Sequence, residues 1–142
     1  MRSYLPLATF IAATLCAASS FAYQPGDSYI AVSKTAMSIT GDIQLDDFSI
    51  TFANGESLEF GELVADHFVV DGASVPASVY SVKTPSDPEL ENGNNLCGNG
   101  DVTFVANWES SSGLVALAVF TGEEPPQSDE DMCASYTYDS AQ

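Results

Sequence analysis

The chain has 142 residues, enough for one domain with a modest core, and it is 45% hydrophobic against 16% charged, which excludes wholesale disorder. Three basic residues stand against twenty acidic ones, a formal net charge of −17. Binding nucleic acid by phosphate neutralisation needs clustered Lys and Arg, so no nucleic-acid partner is expected, and the same charge argues against docking on an anionic membrane surface.

Residues 1–22 have the pattern of a signal peptide. Met1-Arg2 is a positive start, Leu5 to Ala18 is apolar, and Ser20 and Ala22 are small residues at the −3 and −1 positions of a cleavage site. The apolar stretch is short for a spanning helix and no later segment approaches ~20 apolar residues, so no membrane span is expected. A lipid anchor at Cys16 would follow Leu15, which is too bulky for that position. The mature chain is expected to run over residues 23–142 as a single β domain in the periplasm or outside the cell. Cleavage leaves Lys34 and Lys83 against all twenty acids, a charge of −18. It also leaves two cysteines, Cys97 and Cys133, which in an exported chain read as one disulfide. The chain-entropy model values the long loop so closed at roughly 4 kcal/mol.

The mature chain shows short apolar runs of period two, separated by Gly, Asn, Asp and Pro, and no helical stripe of ten or more residues. Strands are predicted near Tyr29–Ser38, Ile43–Phe52, Ser57–Val64, His67–Val70 and Ser78–Lys83, then near Val102–Trp108, Leu114–Thr121 and Ala134–Asp139. Eight short strands at this spacing predict an all-β antiparallel barrel or sandwich. Around Asn54-Gly55, a three-residue loop with Gly55 left-handed would pair Ile50 with Leu58 and Phe48 with Phe60, burying both apolar sets. Ile43 and Leu45 lie out of phase with Phe48, so Asp46-Asp47 marks a bulge or break. A second hairpin through Glu109–Gly113 would pair Ala106 with Ala116, Phe104 with Ala118 and Val102 with Phe120. Leu114 to Phe120 is apolar on both faces, so this strand is central or covered by another element.

Thr84 to Asp101 and Glu123 to Asp131 are rich in Pro, Gly and acids and read as surface loops whose ends the disulfide joins. Asp87, Glu89 and Glu91 alternate oxygen ligands, and Asn94 and Asp101 follow, a composition that suits calcium. The spacing departs from an EF-hand, because Gly93 falls one place late and Gly98 occupies the position of the bidentate Glu. No cofactor is otherwise expected. Glu123, Glu124, Asp129, Glu130 and Asp131 form the candidate contact region for a basic protein. His67 is the one histidine, and its neighbour Asp66 should point to the opposite face of a strand. Gly-x-Ser-x-Gly is absent and both mature cysteines are committed to a bridge, so no catalytic residue is assigned. Trp108, Tyr80, Tyr136 and Tyr138 would pack in the core or line a small-ligand surface.

The segments Asn94-Asn95-Leu96-Cys97-Gly98, Leu117-Ala118-Val119-Phe120-Thr121-Gly122 and Cys133-Ala134-Ser135-Tyr136-Thr137-Tyr138 resemble uncharacterised small exported β-proteins of Gram-negative bacteria. In size, export, β-content and single disulfide the chain is also similar to periplasmic inhibitors of C-type lysozyme, which are small β-barrels. The inhibitors' Ser-Gly-x-x-Tyr loop is absent, since Leu114 and Val115 follow Ser112-Gly113, so no inhibitory residue carries over. The expected function is binding, not catalysis. A calcium- or small-ligand-binding module and a small carboxylate-dependent hydrolase are the alternatives.

Overall fold

The computed structural model describes residues 26–111 and 113–140; the signal-peptide reading, on residues 1–22, lies outside them. The chain is all-β. Eight antiparallel strands close into one barrel in sequence order: β1 (Asp27–Ala31), β2 (Ile43–Leu45), β3 (Ser49–Thr51), β4 (Ser57–Val70), β5 (Ala73–Ser86), β6 (Val102–Ser111), β7 (Leu114–Phe120) and β8 (Ala134–Ser140), with β8 returning to pair with β1. The alternative of a two-sheet sandwich is thereby resolved in favour of the barrel. Among the described residues no helix is long and apolar enough to cross a membrane.

The strands differ from the sequence expectation in four places. The first strand ends at Ala31, and Ala36–Thr40 is a π-helical turn that buries Ala36 and Thr40. The Ile43–Phe52 run is two strands, because the Asp46 carboxylate accepts the amides of Phe48 and Ser49 at 2.7 and 2.9 Å and turns the chain. Conversely, Ser57–Val64 and His67–Val70 are one strand, β4, whose pairing with β5 shifts register between Phe60, Leu63, Ala65 and His67. The β6–β7 hairpin is displaced by two residues from the expected register: Phe104 faces Phe120, Ala106 faces Ala118 and Trp108 faces Ala116. A slip of two keeps every side chain on its face, so burial alone does not fix it.

The β3–β4 hairpin has the expected register. Ile50 faces Leu58, and Gly55 has φ 93° in the Ala53-Asn54-Gly55 loop, a conformation that glycine adopts freely. Phe48, however, is 71% exposed instead of buried. Its carbonyl accepts the Phe60 amide at 2.8 Å, but the Asp46 turn ends just there, so the inward–outward alternation of β3 starts only at Ser49.

Two apolar clusters result. The barrel interior holds Ile43, Ile50, Phe52, Leu58, Phe60, Tyr80, Val105, Leu117, Val119, Tyr136 and Tyr138. Its polar groups are matched internally. Thr40 Oγ1 lies 2.7 Å from the Tyr138 hydroxyl and 2.9 Å from the Gly41 carbonyl. A hydroxyl has one proton, so Thr40 donates to the carbonyl and Tyr138 donates to Thr40. The Tyr136 hydroxyl donates to the Leu96 carbonyl, and Tyr80 donates to Asp47 Oδ1 at 2.8 Å.

The second cluster lies on the other face of β6 and β7, where Phe104, Ala106, Trp108, Ala116, Ala118 and Phe120 alternate with the interior residues. Phe68 of β4 covers it, with ring centres 5.3 Å from Trp108 and 5.9 Å from Phe120. The register shifts of β4, beginning beside Gly61, carry the outer half of the β4–β5 hairpin out of the barrel wall and over this face. The strand that is apolar on both faces is thus covered by another element, as expected.

Candidate binding surface

The Cys97–Cys133 disulfide, with a Cα–Cα distance of 5.5 Å, joins the β5–β6 loop to the start of β8. It thereby tethers the two polar loops at one end of the barrel. In the first, the Asp87 carboxylate accepts the amides of Cys97 and Gly98, each at 2.8 Å, and the Asn95 side chain donates to the Asp87 carbonyl. Asn94 and Asn92 both donate side-chain N–H to the Ser38 carbonyl, and Asn54 donates to the Glu89 carbonyl. These contacts stitch the 87–98 segment to itself, to the β3–β4 loop and to the helical turn. Of the candidate calcium ligands, Asp87 and Asn94 are engaged with the protein's own groups, Glu89 and Asp101 are exposed and Glu91 is half-buried. Among the described residues no three His, Cys, Asp or Glu side chains converge on a common point suited to a metal.

The second loop contains the acidic run. Glu123, Glu124, Glu130 and Asp131 are exposed and Asp129 is half-buried. Ser128 Oγ accepts the Glu130 amide at 3.4 Å and opens a single 3-10 turn over Asp129–Asp131. Among the described residues Lys83 pairs with Glu59 at 3.7 Å, and the His67–Asp66 hydrogen bond at 2.8 Å becomes an ion pair when the imidazole is protonated. Among the described residues no Lys or His lies within ion-pair distance of the loop's carboxylates.

The Glu124–Gln127 segment stands as a ridge between two grooves. On one side a groove of about 670 Å³ runs between the ridge and Val64, Ala65, His67 and Val69 of β4. On the other a groove of about 460 Å³ gathers Glu123, Glu124 and Asp131 around Phe120, Pro125 and Pro126. Three of the five candidate contact residues therefore border one depression with apolar walls. Sequence reasoning did not find the first groove, because it exists only where the β4–β5 hairpin folds back on this loop. The one advance sign was the two-faced apolar pattern of β7.

Asp66 and His67 correct the expectation that neighbours on a strand point apart. Their side chains meet at Oδ1 and Nδ1, both largely exposed, because the register shift between Ala65 and His67 breaks the alternation. That hydrogen bond, then the charge of His67, lowers the Asp66 carboxyl below its ordinary pKa. The aromatic residues are mostly core. Tyr80, Tyr136 and Tyr138 are buried, and burial raises all three phenols, to about 12 for Tyr80 and Tyr136. Trp108 packs under Phe68, though it also borders an open hollow of about 330 Å³ with Tyr29 and Asn107.

No protein-family model, curated protein or solved structure matches the chain.

Proposed function

We propose that the protein acts by binding, and that its partner is a basic protein docking on the acidic loop around Glu123, Glu124 and Asp129–Asp131. The observation that carries this reading is the set of exposed carboxylates, without an ion-pair partner among the described residues, bordering a groove walled by Phe120, Pro125 and Pro126. Uncompensated charge steers an oppositely charged partner and raises its encounter rate, and apolar walls beside it give the encounter something to bury. The excess of twenty acidic over three basic residues extends that attraction over the whole surface. A domain exported to the periplasm or beyond would meet such partners there, and a basic lysozyme is one concrete candidate.

Titration of the folded domain with a basic lysozyme at low and high NaCl tests the reading. Exposed charges are screened beyond a Debye length of about 8 Å at physiological salt, so association should weaken as salt rises. Replacing Asp129, Glu130 and Asp131 together by Asn, Gln and Asn should slow association while the barrel remains folded. Binding indifferent to salt, or selective for acidic proteins, would overturn it.

A further inference from the structure

The outer half of β4 has one edge with no strand beside it. β3 pairs with β4 as far as Glu59, and the Phe60 amide still donates to the Phe48 carbonyl. The next contact on that edge is at Val69, whose N–H donates to the Gln127 carbonyl at 2.9 Å beside an isolated parallel bridge to Ser128. From Gly61 to Phe68 no strand among the described residues pairs there, a span of roughly 25 Å at the usual rise per residue.

The direction of the backbone groups follows from the hairpin tip. Asp71 and Gly72, at φ 50° and 80°, form a two-residue turn closed by the Val70–Ala73 pair. Residues of an antiparallel pair turn their N–H and C=O alternately to the partner and away from it. Val69, opposite Ser74, therefore faces outward, in agreement with its bond to Gln127, and His67, opposite Pro76, faces outward too. Pro76 has no N–H and blunts the corresponding edge of β5, whereas the β4 edge contains no proline.

The flanks of this edge are apolar and acidic. Leu63 and Phe48 are 56% and 71% exposed, and the adjoining groove is walled by Val64, Val69, Pro125 and Pro126 with Glu124 at its rim. Glu62 and Asp66 lie on the edge itself and are exposed. Their charge disfavours a second copy of this chain, which would bring acids against acids, and favours a segment bearing Lys or Arg.

We propose that the β4 edge from Gly61 to Phe68 is a strand-addition site for an extended basic segment of a partner protein, hydrogen-bonded along the backbone. This deepens, and rests on, the basic-partner reading above. The test uses a blocked octapeptide alternating Lys and Val, and the same peptide N-methylated at alternate residues, which keeps its charge but removes backbone donors. At low salt the unmodified peptide should bind and slow hydrogen exchange of the His67 amide. N-methylation should weaken binding about tenfold or more, a change of about 1.4 kcal/mol. Leu63→Lys, which places a cation at the edge without touching the core, should also weaken it; His67→Pro, with folding checked by circular dichroism, should abolish it. Equal binding of both peptides without protection at His67 overturns strand addition and leaves the basic-partner reading standing. Dimerisation of the free protein through β4 overturns the choice of occupant. Failure of both the peptide and a basic lysozyme to bind overturns the basic-partner reading itself, and this proposal with it.

Discussion

The barrel interior and the layer beneath the β4–β5 hairpin are both apolar, but they are held by different means. The interior is enclosed by a closed hydrogen-bonded wall, plugged by the Ala36–Thr40 turn, and its buried phenols are tied to Thr40, Leu96 and Asp47. The outer layer is covered by one hairpin whose centre is Phe68 and whose far side is fixed by the Val69–Gln127 bond and the Val69–Ser128 bridge. A cover with few anchors opens at lower free energy than a closed barrel. The difference separates a closed scaffold from a cover that should open first, and Val64, Ala65, His67 and Val69 of that cover line one of the two grooves.

The largest test of this division is Phe68→Ala. Removal of a buried Phe costs about 3–5 kcal/mol, and here the loss should fall on hairpin docking. Trp108 is the sole tryptophan and lies under Phe68, so its fluorescence should shift towards that of an exposed indole while the barrel amides remain protected. Leu117→Ala, inside the barrel, should instead cost about 2–5 kcal/mol of global stability and move every probe together in a denaturant titration. If Leu117→Ala loosened only the hairpin, the assignment of the two clusters would be reversed.

Reduction of the Cys97–Cys133 bridge, or Cys97→Ser with Cys133→Ser, should lower barrel stability by about 2–4 kcal/mol. The denaturation midpoint reads this directly, and the Trp108 environment in the folded protein should not change. Alkaline pH should act on the same side of the division, because the raised phenols Tyr80, Tyr136 and Tyr138 all belong to the interior cluster. The folded protein keeps the Tyr136 proton up to about pH 12, whereas an unfolded phenol releases it near pH 10. Stability present below pH 10 therefore declines as pH rises from 10 to 12. Denaturation midpoints across that window should fall less steeply in Tyr136→Phe than in the parent chain.

The smallest effect concerns the β3–β4 turn. A Cβ on Gly55 would meet nothing within 4 Å, so Gly55→Ala tests backbone strain alone. At φ 93° it should cost about 1 kcal/mol, measured by equilibrium unfolding.

How much of this could be read in the sequence varies from one element to the next. Eight strands are predicted and eight observed, but two errors compensate: Ile43–Phe52 divides and two shorter runs fuse into β4. The division was visible as the phase slip at Asp46-Asp47, which became a turn because a carboxylate accepts two amides there. The fusion was not legible, because a register shift and a strand end both appear in sequence as a broken alternation. The helical turn over Ala36–Thr40 is too short to show a period. Period two fixed the faces of β6 and β7 but left the register free by two residues. The acidic residues of the candidate surface were evident from composition. The groove against β4 was not, since it depends on where a hairpin distant in sequence comes to rest.

The most direct measurement follows Trp108 fluorescence and hydrogen exchange at the Leu117 and Tyr138 amides through one denaturant titration of the oxidised protein. If the hairpin is a separately opening layer over a closed barrel, the tryptophan transition occurs at lower denaturant than loss of protection at Leu117 and Tyr138. Coincident transitions at all three positions would contradict it, because they would make the hairpin and the barrel one cooperative unit.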